Sequence, residues 1–106
     1  AAGYDAHHAD TMTEMGMGAH DFAELTAAIV SLSHAVGCHT GFLLEGGYHL
    51  EALSNSVTAT LMTLIYQEVR PFKESFLLPD ERSEPDIHPL ITKIKAQHPS
   101  FQKLIQ

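Results

Sequence analysis

Two short segments, each placed where a buried strand would end in a loop, constrain the fold of this chain most. The first is AGYDAHHAD, over residues 2–10, and the second is LLEGGY, over residues 43–48. A segment of helical periodicity separates them, and a strand–helix–strand unit makes its two strands parallel. The carboxyl ends of both strands then meet at one edge of the sheet, which is where open α/β sheets bind ligands.

The spacing of apolar residues predicts two helices. The first is expected to begin near Asp21, with Glu24 as its capping-box partner, and to end at Gly37. The second is expected over residues 49–68, with Pro71 shortly after it. We expect one apolar stripe of each helix to face the core. The first stripe comprises Phe22, Leu25, Ile29, Leu32 and Val36, and the second comprises Leu50, Leu53, Val57, Leu61, Leu64 and Ile65.

The order of elements predicts an α/β fold with a partial parallel sheet, a βαβ unit followed by C-terminal helices. Residues 40–44 form a short, continuous apolar run, which is typical of a strand buried on both faces. Two parallel strands alone leave open sheet edges and uncovered helix faces. We therefore expect either that further strands lie outside these residues or that the chain forms a homo-oligomer.

The second half of the chain is expected to divide into a connection and a helix. Residues 1–70 form the βαβα core segment, and residues 71–86 read as a surface connection because they combine prolines with a charged run. A helix is expected within residues 87–106, with Asp86 as its N-cap. Its inner face would be Leu90, Ile91 and Ile94, and an apolar tail would follow with Phe101, Leu104 and Ile105.

Composition excludes two classes of partner. The chain has 6 Lys+Arg against 13 Asp+Glu, for a net charge of −7, and nucleic-acid binding requires a basic footprint. No apolar run reaches the ~18 residues of a membrane span. The single cysteine, Cys38, lies in an apolar context. We expect it to be buried, in a protein of a reducing compartment, the cytoplasm.

The loop after the first strand carries four potential metal ligands. Asp5, His7, His8 and Asp10 offer carboxylate and imidazole, which suit zinc and similar divalent metals. The alternative is a polar loop whose aspartates accept hydrogen bonds from nearby backbone N–H groups. Composition favours neither, and one adjacent histidine pair is a weak signal in a chain of 8 histidines.

The Glu45-Gly46-Gly47-Tyr48 segment combines a flexible turn with a phenol. Two glycines let the backbone turn sharply and approach a ligand closely. The Tyr48 hydroxyl would then be placed to donate a hydrogen bond to a developing oxyanion. Alone, the pattern favours a turn whose tyrosine packs on the following helix.

Taken together and in this order, the two segments resemble the carboxyl-terminal part of the zinc-dependent histone deacetylase family, which includes bacterial acetylpolyamine amidohydrolases. Residues 3–10 match its Gly-(Phe/Tyr)-Asp-Ala-His-x-x-Asp strand end, and residues 44–48 match its Leu-Glu-Gly-Gly-Tyr. The tail, His98-Pro99-Ser100-Phe101, is similar to a motif near the end of many members. The resemblance implies the carboxyl-terminal portion of an arginase/deacetylase-like three-layer fold.

The resemblance also implies roles for individual residues. Asp5 would be one of three protein ligands of a catalytic zinc ion, and Tyr48 would stabilise the tetrahedral oxyanion. Gly46, Gly47 and Met12 would line the pocket for the acyl chain. The substrate would be an acetylated amine, either acetyl-lysine or an acetylpolyamine.

The chain departs from the family pattern at several points. Thr11-Met12-Thr13 stands where Pro-Leu-Gly is common, and His49 replaces a frequent Asn or Asp, which bears on the capping of the second helix. In the family, an Asp-x-His zinc pair and a His-His general-base pair lie far upstream of the region that matches this chain. We do not interpret His7-His8, which is adjacent to Asp5 in sequence, as that base pair. We therefore expect the isolated chain to be inert and not to hold zinc tightly by itself.

Overall fold

The computed structural model describes residues 1–74 and 88–97, in which strands and helices alternate before a last helix. The elements are β1 (Ala2–Gly3), α1 (Ala19–Val36), β2 (Leu44–Gly46), α2 (Leu50–Tyr66) and α3 (His88–Gln97). As predicted, β1 and β2 pair in parallel. The Ala2 N–H donates to the Leu43 carbonyl at 2.7 Å, and the Tyr4 N–H donates to the Gly46 carbonyl at 2.8 Å.

Helix α1 begins earlier than expected and uses a different cap. Gly18 is the N-cap, and its backbone N–H donates to Asp21 Oδ2 at 2.7 Å. Asp21 is therefore the third helical residue, and the expected pairing with Glu24 is wrong. Aspartate is favourable both at an N-cap and in the first turn, so the pattern did not distinguish the two positions. Gly37 ends the helix as predicted, with a left-handed φ of 69°.

Helices α1 and α2 pack against each other mainly through small side chains. The buried residues are Ala19, Phe22, Ala23, Thr26 and Ser33 of α1, and Ala52, Ser56, Ala59, Thr60 and Thr63 of α2. Tyr4 links the sheet to both helices. Its ring centroid lies 4.9 Å from that of Phe22, and its hydroxyl donates to Thr60 Oγ1 at 3.1 Å. The core of the described residues is therefore compact but poor in large aliphatic groups.

Most of the residues in the predicted apolar stripes lie on the surface, so the expected core faces are wrong in the described chain. Of the five residues in the α1 stripe only Phe22 is buried, and the exposure of the other four ranges from 46% at Ile29 to 66% at Val36. In the predicted apolar faces of the other two helices, the exposed residues are Leu50, Leu61 and Ile65 of α2 and Leu90, Ile91 and Ile94 of α3. Periodicity identifies an apolar face but not its partner, and here the two long helices meet through the neighbouring face of small residues.

Two further expectations about burial are also wrong. Strand β2 begins at Leu44 rather than Thr40, and the side chains of Leu43 and Leu44 are exposed. A strand is buried on both faces only when further layers cover it, and the described residues form a sheet of two strands. Cys38 is exposed because it directly follows the Gly37 turn that ends α1.

Some expectations lie outside the described residues. These are the connection beyond residue 74, the Asp86 cap, the apolar tail and the motif that begins at His98. Among the described helices, none is both long and apolar enough to cross a lipid bilayer. The homo-oligomer remains a prediction, to be tested by the solution molecular weight.

Candidate functional site

The paired strands bring Asp5 beside the glycines that end β2. Asp5 comes two residues after β1, and its Oδ1 atom lies against Gly3 and Gly46, which face each other in the sheet. A Cβ added to Gly46 would come 2.8 Å from this oxygen, and one added to Gly3 would come 3.0 Å from it. The missing side chains of the two glycines therefore provide the space for the carboxylate.

The turn between β2 and α2 requires glycine at position 47. Gly47 has a φ of 125°, and a Cβ there would lie 2.8 Å from Leu53 Cδ1 and 3.1 Å from Tyr4 Cβ. Tyr48 follows at once, and its side chain is 63% exposed. This exposure disfavours the alternative in which the tyrosine packs on the following helix. The structure thus brings a carboxylate and an accessible phenol to the same end of the sheet.

A series of glycine substitutions tests this account of the turn. We expect Gly47→Ala to lower the free energy of unfolding by about 3 kcal/mol or more, because a strained φ and overpacking both contribute. Gly16→Ala should cost about 1 kcal/mol, since Gly16 has a φ of 71° but no atom within 4 Å of an added Cβ. Gly41→Ala, in open space and without a positive φ, should cause no loss. Denaturant unfolding of the three variants measures these differences, and equal losses at positions 16 and 47 would contradict the argument.

Asp10 connects the loop after β1 to the turn before α2. Its side chain is only 4% exposed. Oδ2 accepts hydrogen bonds from the backbone N–H groups of Tyr48 at 2.7 Å and His49 at 3.1 Å, while Oδ1 accepts from that of Met12 at 3.0 Å. The bond to Met12 is the local contact expected of a loop aspartate. Nothing in the sequence pattern indicated the bonds to Tyr48 and His49, which lie 38 and 39 residues away.

These hydrogen bonds lower the pKa of the Asp10 carboxyl. The Tyr48 N–H contributes most and the Met12 N–H next, and together with His49 they outweigh the opposing effect of burial. Because the pKa is lower in the folded protein, the charged carboxylate stabilises the fold at neutral pH. This contribution is lost as the pH falls below about 4 and through the folded-state pKa.

We therefore expect Asp10→Asn to remove part of the acid sensitivity of the fold. The difference in unfolding free energy between the original protein and the variant should be largest near neutral pH and should shrink below about pH 4. Urea unfolding of both proteins across this range measures the difference directly. A difference that stays constant from neutral to acidic pH would show that Asp10 does not titrate in this way.

His7 braces the same loop from inside the fold. It is fully buried, and its Nδ1 accepts a hydrogen bond from the Ala9 N–H at 3.1 Å. The other ring nitrogen, Nε2, therefore carries the proton and donates to Glu74 Oε1 at 2.7 Å. Glu74 Oε2 accepts from the Ala19 N–H at 2.9 Å, in the first turn of α1. Glu74 is thus a structural partner that sequence reasoning missed, 67 residues from His7.

His7 and Glu74 also belong to a cluster of possible metal ligands. Within residues 1–74 and 88–97, His7, His8 and Glu74 each offer one ligand atom, all within 4.8 Å of one another. In this structure His7 Nε2 and Glu74 Oε1 are joined by the 2.7 Å hydrogen bond, and both oxygens of Glu74 accept N–H groups. Asp5 and Asp10 do not join the cluster. The cluster therefore contains His7 and His8 of the hypothetical metal loop, but combines them with Glu74 rather than with the two aspartates.

The segment that departs from the family pattern is held by its own hydrogen bonds. The Met12 N–H donates to Asp10, and the Thr13 hydroxyl donates to the Asp5 carbonyl at 2.8 Å. Met12 itself is exposed. His49 is the N-cap of α2, and its Nδ1 accepts from the Ala52 N–H at 3.3 Å, so histidine fills the capping role expected there.

Comparison with known proteins points to one family. The sequence model of the histone deacetylase domain matches residues 1–64. Over 69 residues the chain is 36% identical to histone deacetylase 14, chloroplastic, of Arabidopsis thaliana, covering 64% of this chain and 16% of the relative. Over 71 residues it is 37% identical to the human polyamine deacetylase HDAC10, covering 67% of this chain and 10% of the relative.

A cyanobacterial protein is similarly close. The uncharacterized protein slr0245 of Synechocystis is 36% identical over 66 residues, which are 62% of this chain and 20% of that protein. The chain therefore spans a fifth or less of the length of these curated relatives. None of the solved structures matches it significantly.

Proposed function

We propose, from the premise that this chain belongs to the histone deacetylase family, that it forms part of a zinc-dependent deacetylase site. It would contribute one zinc ligand, Asp5, and one oxyanion-stabilising phenol, Tyr48. The observation that carries the proposal is the parallel pairing of β1 and β2. This pairing sets the Asp5 carboxylate against Gly46, two residues before the exposed Tyr48.

The chemistry of the Asp5 carboxylate fits the proposed metal. Carboxylate oxygen is a common zinc ligand, and the two facing glycines leave room for it at the end of the sheet. When bound, zinc polarises an acyl carbonyl and lowers the pKa of a water molecule. A catalytic zinc site has three protein ligands, so Asp5 would hold the ion together with residues from outside the described chain.

Tyr48 would act on the carbonyl oxygen of the substrate. Its phenol would donate a hydrogen bond to the negative charge that develops on this oxygen. The substrate would be an acetylated amine, acetyl-lysine or an acetylpolyamine, and the likeness to a protein named polyamine deacetylase supports this class. Gly46, Gly47 and the exposed Met12 would lie along the path of the acyl-bearing chain.

Acetate release tests this proposal. The proposal implies a longer protein that supplies the other zinc ligands, and we call it the full-length protein. Loaded with zinc, it is assayed with an acetyl-lysine peptide and with acetylspermidine, in parallel with the 106-residue chain. We expect the full-length protein to release acetate from one or both substrates and a chelator to stop it. We expect no release by the isolated chain, because one carboxylate does not hold a catalytic zinc ion tightly.

Two results would contradict these expectations separately. Absence of acetate release from both substrates by the zinc-loaded full-length protein would exclude the proposed function. Chelator-sensitive release by the isolated chain would leave the function standing but would show that the chain is not inert.

A further inference from the structure

We propose that Asp10 is a positioning residue for Tyr48: its carboxylate fixes the backbone on both sides of Tyr48 and thereby sets the direction of the phenol. This inference rests on the proposed role of Tyr48 in deacetylation. Asp10 would not touch the substrate. It would act only through the backbone of the turn between β2 and α2.

The hydrogen bonds of Asp10 reach both peptide units that flank the Tyr48 Cα. The Tyr48 N–H belongs to the unit before this Cα, and the His49 N–H belongs to the unit after it. A single oxygen, Asp10 Oδ2, accepts both, at 2.7 and 3.1 Å. Two peptide planes anchored at one point restrict φ and ψ of Tyr48, and these two angles determine where its Cα–Cβ bond points.

Packing does not provide this orientation, because the Tyr48 side chain is 63% exposed in the described structure. An exposed ring has few neighbours that would select one rotamer, so the backbone must carry most of the directional information. The residues on either side are restricted as well. Gly47 has no room for a Cβ, and His49 is the N-cap of α2. Tyr48 thus lies between two fixed positions.

Asp10 is itself held rigidly enough to serve as an anchor. Its second oxygen accepts the Met12 N–H at 3.0 Å, its own N–H donates to the His7 carbonyl at 2.9 Å, and its side chain is buried. A charged acceptor also makes hydrogen bonds roughly twice as strong as a neutral one. The anchor therefore connects the loop after β1 to the phenol, which are the two halves of the candidate site.

Kinetics of Asp10 variants in the zinc-loaded full-length protein test the inference. We expect Asp10→Ala to lower kcat for acetate release by about 10²-fold, because misplacement by about 1 Å has effects of this size. KM should change little, and Asp10→Asn should recover part of kcat because its amide oxygen still accepts the N–H groups. In a Tyr48→Phe background, Asp10→Ala should cost less than about threefold, since residues that act through one another are not additive.

Asp21→Ala is the matched control. It also removes a carboxylate that accepts a backbone N–H at the start of a helix, here that of Gly18, but it lies outside the candidate site. We expect it to reduce stability without lowering kcat. A fall in kcat equal to that of Asp10→Ala would show that loss of stability explains both variants, and the inference would be wrong.

Hydrogen–deuterium exchange provides a readout that does not depend on activity. We expect the amides of Tyr48 and His49 to exchange at least about tenfold faster in Asp10→Ala, as expected when a protecting hydrogen bond is lost. Unchanged exchange at both amides would overturn the inference, as would an undiminished effect of Asp10→Ala in the Tyr48→Phe background. Full turnover by Tyr48→Phe alone would instead refute the proposed role of Tyr48, while the exchange data would still report on the anchor.

Discussion

Tyr48→Phe in the zinc-loaded full-length protein is expected to lower kcat for acetate release by about 10²–10³-fold. The substitution removes one hydroxyl and keeps the ring. A donor to the developing oxyanion acts in the transition state more than in the ground state, so KM should change far less than kcat. Steady-state kinetics with an acetyl-lysine peptide or acetylspermidine measure both constants.

Tyr66→Phe is the control for this experiment. Tyr66 is the last residue of α2, its side chain is also exposed, and its ring contacts the Arg70 guanidinium at 3.7 Å. Loss of its hydroxyl should leave kcat unchanged, because the ring contact remains. If the kcat of Tyr48→Phe stays within about threefold of that of the unsubstituted protein, as expected for a residue with no role in the reaction, the phenol does not stabilise the oxyanion.

Asp5→Asn is expected to lower acetate release by a similar factor, because it weakens the binding of zinc. The amide has nearly the same shape as the carboxylate but carries no charge, so the fold should tolerate it at the same place beside Gly46. We expect the zinc affinity of the full-length protein to fall by at least about 10²-fold. Substitution of residues that only hydrogen-bond to zinc ligands already lowers metal affinity or activity by about 10–100-fold. Zinc titration measures this, and acetate release should fall in parallel.

Glu45→Gln is the control that separates loss of a zinc ligand from loss of a nearby negative charge. Glu45 is an exposed carboxylate in β2, adjacent to Gly46, and the substitution removes the same charge. We expect it to leave zinc affinity and acetate release unchanged. Equal losses in the two variants would attribute the effect to net charge, and normal zinc binding by Asp5→Asn would exclude Asp5 as a ligand.

The arrangement of the candidate site follows from features that are local in sequence. The strand–helix–strand order requires parallel strands, and parallel strands bring residues 5 and 48 to one end of the sheet. Glycine at positions 46 and 47 indicated a close backbone approach, and the structure shows what approaches: Asp5 at the first and Leu53 with Tyr4 at the second. The roles of Asp5 and Tyr48 remain predictions.

Sequence patterns were less informative about which residues of the folded chain contact each other. The apolar stripe of α1 predicted a core face, but Phe22 is its only buried member, and the other buried residues of the helix are small ones such as Ala19, Ala23 and Thr26. An apolar stripe is a property of one segment, whereas its burial depends on partners that the segment does not encode. The long-range hydrogen bonds of Asp10 and Glu74 were missed for the same reason, because no local spacing relates them to Tyr48 or His7.

The Glu74 carboxylate shows that the folded unit extends beyond the part of the chain that the family model matches. The histone deacetylase match stops at residue 64, yet ten residues further on Glu74 bonds the buried His7 and the first turn of α1. A truncation at the boundary of the recognisable sequence would leave the His7 donor without this acceptor and remove the acceptor at Ala19. Domain limits drawn from family similarity would therefore be too short for a stable fragment, and expression boundaries should extend past residue 74.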